Sequence, residues 1–184
     1  MLKELLIKTR SIRRYDESRK IDMSTLMDIV ESIRYCPSAA NGQRVKVAII
    51  SDDLTEKVFD TLSFAAYLRP WMGPEEGQRP VAYLVLLTKS DPDTNLAIDC
   101  GIAAEAIALS AREKGIGYCM FRSFNVENLT RVIGKEGYTP VLVISLGYPK
   151  EEVVIETATD SLRYYRDEND VHHVPKLALE DIIV

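Results

Sequence analysis

What the sequence is short of narrows it before anything else. Its 184 residues hold three cysteines, Cys36, Cys100 and Cys119, an odd number with no Cys-x-x-Cys spacing. Such a set offers neither a disulfide framework nor a zinc site, and a reducing, cytoplasmic setting is expected. Positive charge is in deficit: 23 Lys and Arg stand against 28 Asp and Glu, a net charge of −5. Binding to nucleic acid or to an anionic membrane runs on surplus cations, so neither partner is expected. Long apolar runs are also missing. No uncharged stretch approaches the roughly 18 apolar residues that span a bilayer. Residues 1–8 are amphipathic and short for a signal-peptide core. With no internal repeat, low-complexity block or linker, residues 1–184 are expected to form one domain with a polar, extended tail.

What is present is an ordinary globular composition, 46% hydrophobic and 28% charged, patterned in both periods. Helices are expected over residues 2–9, 23–36, 95–114, from an Asp52-Asp53 cap to about residue 68, and from Asn125 onward. Asp22 is placed to cap the second of these, Leu26, Ile29, Val30 and Ile33 form its apolar stripe, and Pro37 ends it. Strands are expected over 45–50, 81–88, 118–121 and 139–146, the second buried on both faces. Residues 69–80, rich in proline and glycine, read as a loop or lid in which Trp71, with Tyr67 just ahead of it, either covers a ligand or anchors the loop. Helix 95–114 is apolar nearly all round and therefore buried. Its Gly101, Ala104 and Ala108 permit a close helix contact, within one subunit or across a dimer. Further on, Asn169-Asp170 reads as the turn of a hairpin and residues 179–184 as an apolar end. Adjacent His172 and His173 would point to opposite faces of a strand and chelate nothing. Cys119 reads as a packed core thiol.

Two polar stretches stand out against this background. Arg10-Ser11-Ile12-Arg13-Arg14-Tyr15 concentrates three guanidinium groups and a hydroxyl, the donors that hold a phosphomonoester. It is also readable as a solvated turn beside Asp16-Glu17. Pro37-Ser38-Ala39-Ala40-Asn41-Gly42-Gln43 offers small side chains and amides after a helix stop, a surface suited to the edge of a planar heterocycle. An irregular connecting loop has the same composition.

Taken together, and in order with Asp99-Cys100-Gly101-Ile102-Ala103-Ala104, Lys114-Gly115-Ile116-Gly117-Tyr118-Cys119-Met120 and Leu146-Gly147-Tyr148-Pro149, these stretches resemble the FMN-dependent nitroreductase family over essentially the whole chain. The resemblance implies an α+β fold of three α/β/α layers around a mostly antiparallel sheet, and a homodimer with FMN at the interface. Arg10, Ser11 and Arg13 match the first cofactor segment. Pro37, Ser38, Ala39, Asn41 and Gln43 match the segment that reaches FMN from the partner subunit. Met120, Phe121, Arg122 and Ser123 match the segment beside the isoalloxazine ring. Lys176 stands near the place where relatives offer a cation to the phosphate.

The implied activity is an NAD(P)H oxidoreductase that passes a hydride through flavin N5 to a nitroaromatic, a quinone or a similar small aromatic acceptor, in ping-pong fashion. The chemistry belongs to the cofactor, so no catalytic side chain and no metal are expected. An FMN-binding protein without turnover is the alternative, as is a specialised relative that dehalogenates, oxidises a ring or fragments flavin. Three departures mark this chain: Arg44-Val45 where relatives commonly carry Pro-Trp, Arg122 where Gly or Glu is common, and Lys176-Leu177 at the usual arginine site.

Overall fold

The computed structural model describes residues 1–51, 53–68 and 70–184. Four strands carry the architecture: β1 (Lys46–Ile50), β2 (Ala82–Thr88), β3 (Gly117–Phe121) and β4 (Thr139–Gly147). They form one sheet in the order β1-β2-β4-β3, every neighbouring pair antiparallel. Register sets Ala48 opposite Val85, Leu84 opposite Ile144 and Met120 opposite Ile144, with a slip at Leu86/Leu87. Because side chains alternate across a strand, each run of Val, Ile and Leu serves two cores. Leu84, Leu86, Ile144 and Leu146 face one cluster, while Tyr83, Val85, Leu87 and Val143 face the other. This doubly covered sheet explains why β2 is buried along its whole length.

Helices supply the two outer layers. On the first face lie α2 (Met23–Glu31) and α4 (Thr94–Glu113), contributing Leu26, Ile29, Leu96, Ala104, Ile107 and Ala108 to the core. On the second lie α3 (Leu54–Phe59) and α5 (Val126–Ile133), contributing Val58 and Leu129. The short α1 (Leu2–Lys8) buries no residue. The resulting α/β/α, α+β layering is the one the family resemblance implies. Among the described residues, three helices begin on side-chain caps: Asp22 accepts from the Thr25 amide at 2.8 Å, Asp93 from Leu96 at 2.7 Å and Asn125 from Asn128 at 2.9 Å. Hydrogen bonds from the Ser24 and Thr25 hydroxyls and the Thr25 amide hold Asp22 down to a pKa of about 2.

α4 alone among the described helices is long and apolar enough to cross a membrane. Ala103, Ala104, Ile107, Ala108 and Ala111 are buried in the protein core. Of the small residues singled out on it, Ala104 and Ala108 pack inward, and Gly101 faces open space.

Several expectations are corrected. The helix over 23–36 is regular only to Glu31 and tightens into a 3-10 turn over Ser32–Tyr35. The helix from the aspartate cap stops at Phe59, because Leu62 bridges to Phe124 and the Ser63 amide donates to Ser123 at 2.9 Å, drawing the chain onto its neighbour. Asp52 of that cap and Arg69 of the following loop lie outside the described residues. The tail is folded. β5 (Val153–Thr157), β6 (Tyr165–Arg166) and β7 (His172–Lys176) form a second sheet in the order β5-β7-β6, with β5 parallel to β7 and β6 antiparallel to it. The expected turn at Asn169-Asp170 joins β6 to β7, with Asp170 at φ 64°. The apolar end carries exposed Leu179, Ile182, Ile183 and Val184.

Candidate functional site

The arginine-rich segment is seated by what lies between its arginines. Ile12 and Tyr15 turn inward across the ends of β3 and β4. The Ile12 amide donates to Tyr118 O at 2.7 Å, and Ser11 and Tyr15 bridge to Tyr118 and Pro149. The crossing is possible because β3 and β4 present glycines beneath it. A Cβ at Gly117 would stand 2.8 Å from Ile12 Cγ1, and one at Gly147 would stand 2.7 Å from Tyr15 Cδ1. Fully buried Tyr15 donates its hydroxyl hydrogen to Ile12 O and meets Ser145 Oγ at 2.7 Å. Burial pushes its phenol pKa well up.

The guanidinium groups, in contrast, do not converge. Arg10 donates from Nη2 to Leu6 O at 2.8 Å, and its Nε is buried without a partner. Arg13 donates to His172 Nε2 at 3.1 Å and lies 4.9 Å above the Tyr164 ring. Burial, with Arg13 and Arg166 nearby, lowers the His172 pKa to about 4, so the imidazole is neutral and accepts. Arg14 pairs with Asp170. The carboxylate at the centre of this region is Glu151, whose side chain is 1% exposed. It accepts from the backbone amides of Arg13 and Arg14 and from Arg166 Nη2 at 2.9 Å. The folded tail therefore reaches back onto the first segment.

Two cavities divide the residues picked out in the sequence. One, of about 230 Å³, brings Arg13 together with Met120, Phe121, Arg122 and Ser123. Phe64 and Tyr164 add aromatic walls, and among the described residues no carboxylate lines it. Phe64 and Phe121 meet edge to face at 5.0 Å. Arg122 is directed by a 2.7 Å bond from Nη1 to Val141 O.

The other cavity, of about 330 Å³, is lined by Pro37, Ser38, Asn41 and Gln43, with Asp99 on α4. Ala39 enters this second group through its amide, which donates to Asp99 Oδ1 at 2.9 Å. Within the segment Ala40, Asn41 and Gln43 all take positive φ, at 49°, 52° and 46°. Arg10 and Ser11 line neither cavity. Nor does Lys176, which is exposed at the end of β7 opposite Thr157. Of the departures, Arg44 forms a two-pronged ion pair with Asp93 at 2.7 and 2.8 Å.

His172 and His173 do face opposite ways: His173 binds Glu156 at 3.0 Å and Asp167 at 3.3 Å and stacks on Tyr165. Among the described residues no cluster has the makings of a metal site. Cys119 is buried, and burial raises its thiol pKa. Tyr67 and Trp71 meet the folded tail, Tyr67 against Tyr164 and Trp71 under Arg166.

Sequence reasoning gave no site role to Glu151, Tyr164, His172 or Asp99. For Asp99 a signal was there: it is a carboxylate in a helix otherwise apolar nearly all round. For the others the signal lies only in the tail's fold.

A sheet covered on both faces, with helices on either side and two cavities at its margins, defines a three-layer α+β protein. Residues 6–148 match the model of the nitroreductase family, and the chain belongs to that family, which makes it an oxidoreductase by kinship. It is 26% identical to YdgI of Bacillus subtilis (strain 168), provisionally described as an NAD(P)H nitroreductase, over 81% of this chain and 88% of that protein. Its fold matches a nitroreductase family protein of Streptococcus pneumoniae TIGR4 with TM-score 0.72, 16% identity and coverage of 100% and 99%. It also matches the FMN-dependent nitroreductase NfnB of Mycobacterium smegmatis in complex with NADPH, with TM-score 0.65, 17% identity and coverage of 81% and 87%.

Proposed function

We propose that the protein is an FMN-dependent NAD(P)H oxidoreductase of nitroreductase type, acting as a homodimer in a cytoplasmic setting. The observation that carries this reading is the cavity where Arg13 meets Met120, Phe121, Arg122 and Ser123, aromatic in its walls and, among the described residues, free of carboxylates. Among the described residues, Arg10, Arg13 and Arg122 have no carboxylate partner within ion-pair distance, in a chain whose acidic groups outnumber its cations. Unneutralised guanidinium groups and an orphaned buried Arg10 Nε suit an anionic ligand. The cofactor therefore fits the residues present.

In this reading Arg10, Ser11 and Arg13 hold the phosphate and ribityl chain, and Lys176 adds a more distant cation. Met120, Phe121, Arg122 and Ser123 lie against the ring. Ser38, Asn41 and Gln43 reach it from the second subunit, with Pro37 and Ala39 shaping their loop. That the two groups line different cavities of one copy supports the division between subunits. When bound, FMN supplies hydride acceptance and donation at N5. The chain's own part is to neutralise charge, with Arg13 and Arg122 favouring the electron-rich reduced ring, and to exclude water with Phe64, Phe121 and Tyr164. Nicotinamide and then a nitroaromatic, quinone or similar acceptor use the same face in turn. The free thiols Cys36, Cys100 and Cys119 agree with a reducing compartment.

Purified protein is expected to be yellow and to bleach under anaerobic conditions on adding NADH or NADPH. The tail's Tyr164, which caps Arg13, favours one competing reading: an FMN-binding protein whose cavity is closed to turnover. A yellow protein that neither nicotinamide bleaches supports that second reading, and a colourless one that takes up no FMN defeats both.

A further inference from the structure

The loop from Ser38 to Arg44 is held in a conformation its own residues resist. Ala40, Asn41 and Gln43 occupy the left-handed region at φ 49°, 52° and 46°. For residues with a Cβ that region costs about 1–2 kcal/mol each, least for asparagine. Bonds inside the loop supply part of the compensation: Asn41 N donates to Ser38 O at 2.9 Å, Gln43 N to Ser38 Oγ at 3.2 Å, and Gln43 Nε2 to Asn41 Oδ1 at 3.2 Å. All of these are local and largely exposed, and they would break together if the loop relaxed.

Besides the bond from Lys46 Nζ of β1 to Gln43 O at 3.0 Å, α4 ties the loop to the body at two points. At the loop's start the Ala39 amide donates to Asp99 Oδ1 at 2.9 Å. Asp99 sits on the inward side of α4, 5% exposed, and its second oxygen is buried without a partner. At the loop's end Arg44 grips Asp93 with both terminal nitrogens, and Asp93 is simultaneously the N-cap of α4. The two carboxylates stand six residues apart on α4, about 9 Å along its axis. The positive-φ residues lie between the two anchor points.

We propose that Asp99 and the Arg44–Asp93 pair form a two-point clasp whose function is to fix the Ser38, Asn41 and Gln43 edge for ligand binding. Asp99 is thus a positioning residue that acts through the loop. Retaining a buried carboxylate with one idle oxygen is costly for stability alone, so its placement is explained by what it orders. The clasp also accounts for Arg44: where a proline would stiffen the backbone covalently, this chain stiffens it through a charged pair with the helix cap. The proposal rests on the reading of this loop as part of the FMN site, and the experiment separates the two.

The test uses the full-length chain stripped of flavin, titrated with FMN and followed by quenching of flavin fluorescence. Amide hydrogen exchange at residues 38–43 is measured in the apoprotein. Asp99→Ala should weaken FMN binding roughly ten- to hundred-fold, as loss of one bond to a charged acceptor implies, and accelerate exchange at residues 39–43. Asp99→Asn should stay within about threefold of wild type, because the amide oxygen still accepts from Ala39. Arg44→Ala should weaken binding a few-fold, and the difference should shrink in high salt because the pair is partly exposed. Wild-type affinity and exchange in Asp99→Ala overturns the clasp, as does an Asp99→Asn no better than Asp99→Ala. If Asp99→Ala does not fold, Arg44→Ala decides: unchanged exchange and affinity overturns the proposal. If the wild-type protein takes up no FMN, the cofactor reading falls, and exchange at residues 39–43 alone upholds or overturns the clasp.

Discussion

Gly147→Ala is the sharpest probe of how the arginine segment is seated. The added methyl would lie 2.7 Å from Tyr15 Cδ1 and 2.9 Å from both Cβ and Cγ, where ordinary carbon contacts begin near 3.4 Å. These are not the far atoms of a flexible chain. Tyr15 is 0% exposed, and its hydroxyl is tied to Ile12 O and Ser145 Oγ, so the ring cannot swing aside without breaking both bonds. Overpacking of this kind costs about 1–3 kcal/mol. The lost bonds add roughly 1–2 kcal/mol if Tyr15 moves, while the stiffer unfolded chain returns about 0.5–1 kcal/mol. A net loss of about 2–3 kcal/mol follows, which for a chain of this size lowers Tm by roughly 4–12 °C. Because Tyr15 moves with Arg13 and Arg14, FMN affinity should fall along with Tm. Urea or thermal unfolding gives the first quantity and flavin titration the second. A variant as stable as wild type, with unchanged FMN affinity, would refute the account of the glycine seat.

Four further outcomes follow from the same structure. Arg10→Ala combined with Arg13→Ala should abolish FMN retention through purification, and a double variant that still carries stoichiometric flavin would unseat the site assignment. Ala40→Gly should stabilise the apoprotein by about 1 kcal/mol in denaturant unfolding, since glycine accepts φ 49° without a Cβ penalty. His172, lowered from 6.5 to about 4, stays neutral when folded, so the unfolded chain binds its proton first. Stability from this group is present above pH 6.5 and is lost as pH falls toward 4, and His172→Phe should flatten that limb of the pH–stability curve. His173, raised by its bond to Glu156 and then to Asp167, works in the opposite sense. Its contribution is complete below pH 6.5 and fades at higher pH, so His173→Asn should lower stability more at pH 6 than at pH 9.

Much of the layered fold was legible because its signals are local. Asp22 and Asn125 cap where their residue types suggest, and β2 reads as a doubly covered strand from its own composition. The helix expected as far as residue 68 failed because a non-local bridge from Leu62 to Phe124 outweighs local propensity. β5 escaped notice despite its Val-Val-Ile run, since its partner β7 lies well downstream in parallel register. The site divides the same way. Which residues would gather around Arg13 was readable from motif order, yet the direction of each guanidinium was not. Arg13 and Arg14 answer to His172 and Asp170, more than 150 positions away in sequence. The bent loop was visible as an amide-rich stretch, but its anchor, Asp99, is a matter of which way one turn of α4 faces.

Glu151 gives the molecule a schedule. Its carboxylate joins amides near position 13 to a guanidinium at position 166, so the arginine segment is not finished until residue 166 has been made. At ordinary synthesis rates of about 5–20 residues per second, that is a delay of roughly 8–30 s. Throughout it Arg13 and Arg14 emerge, and wait, without their closing partners. A nascent chain stalled before residue 166 should leave the segment open to solvent.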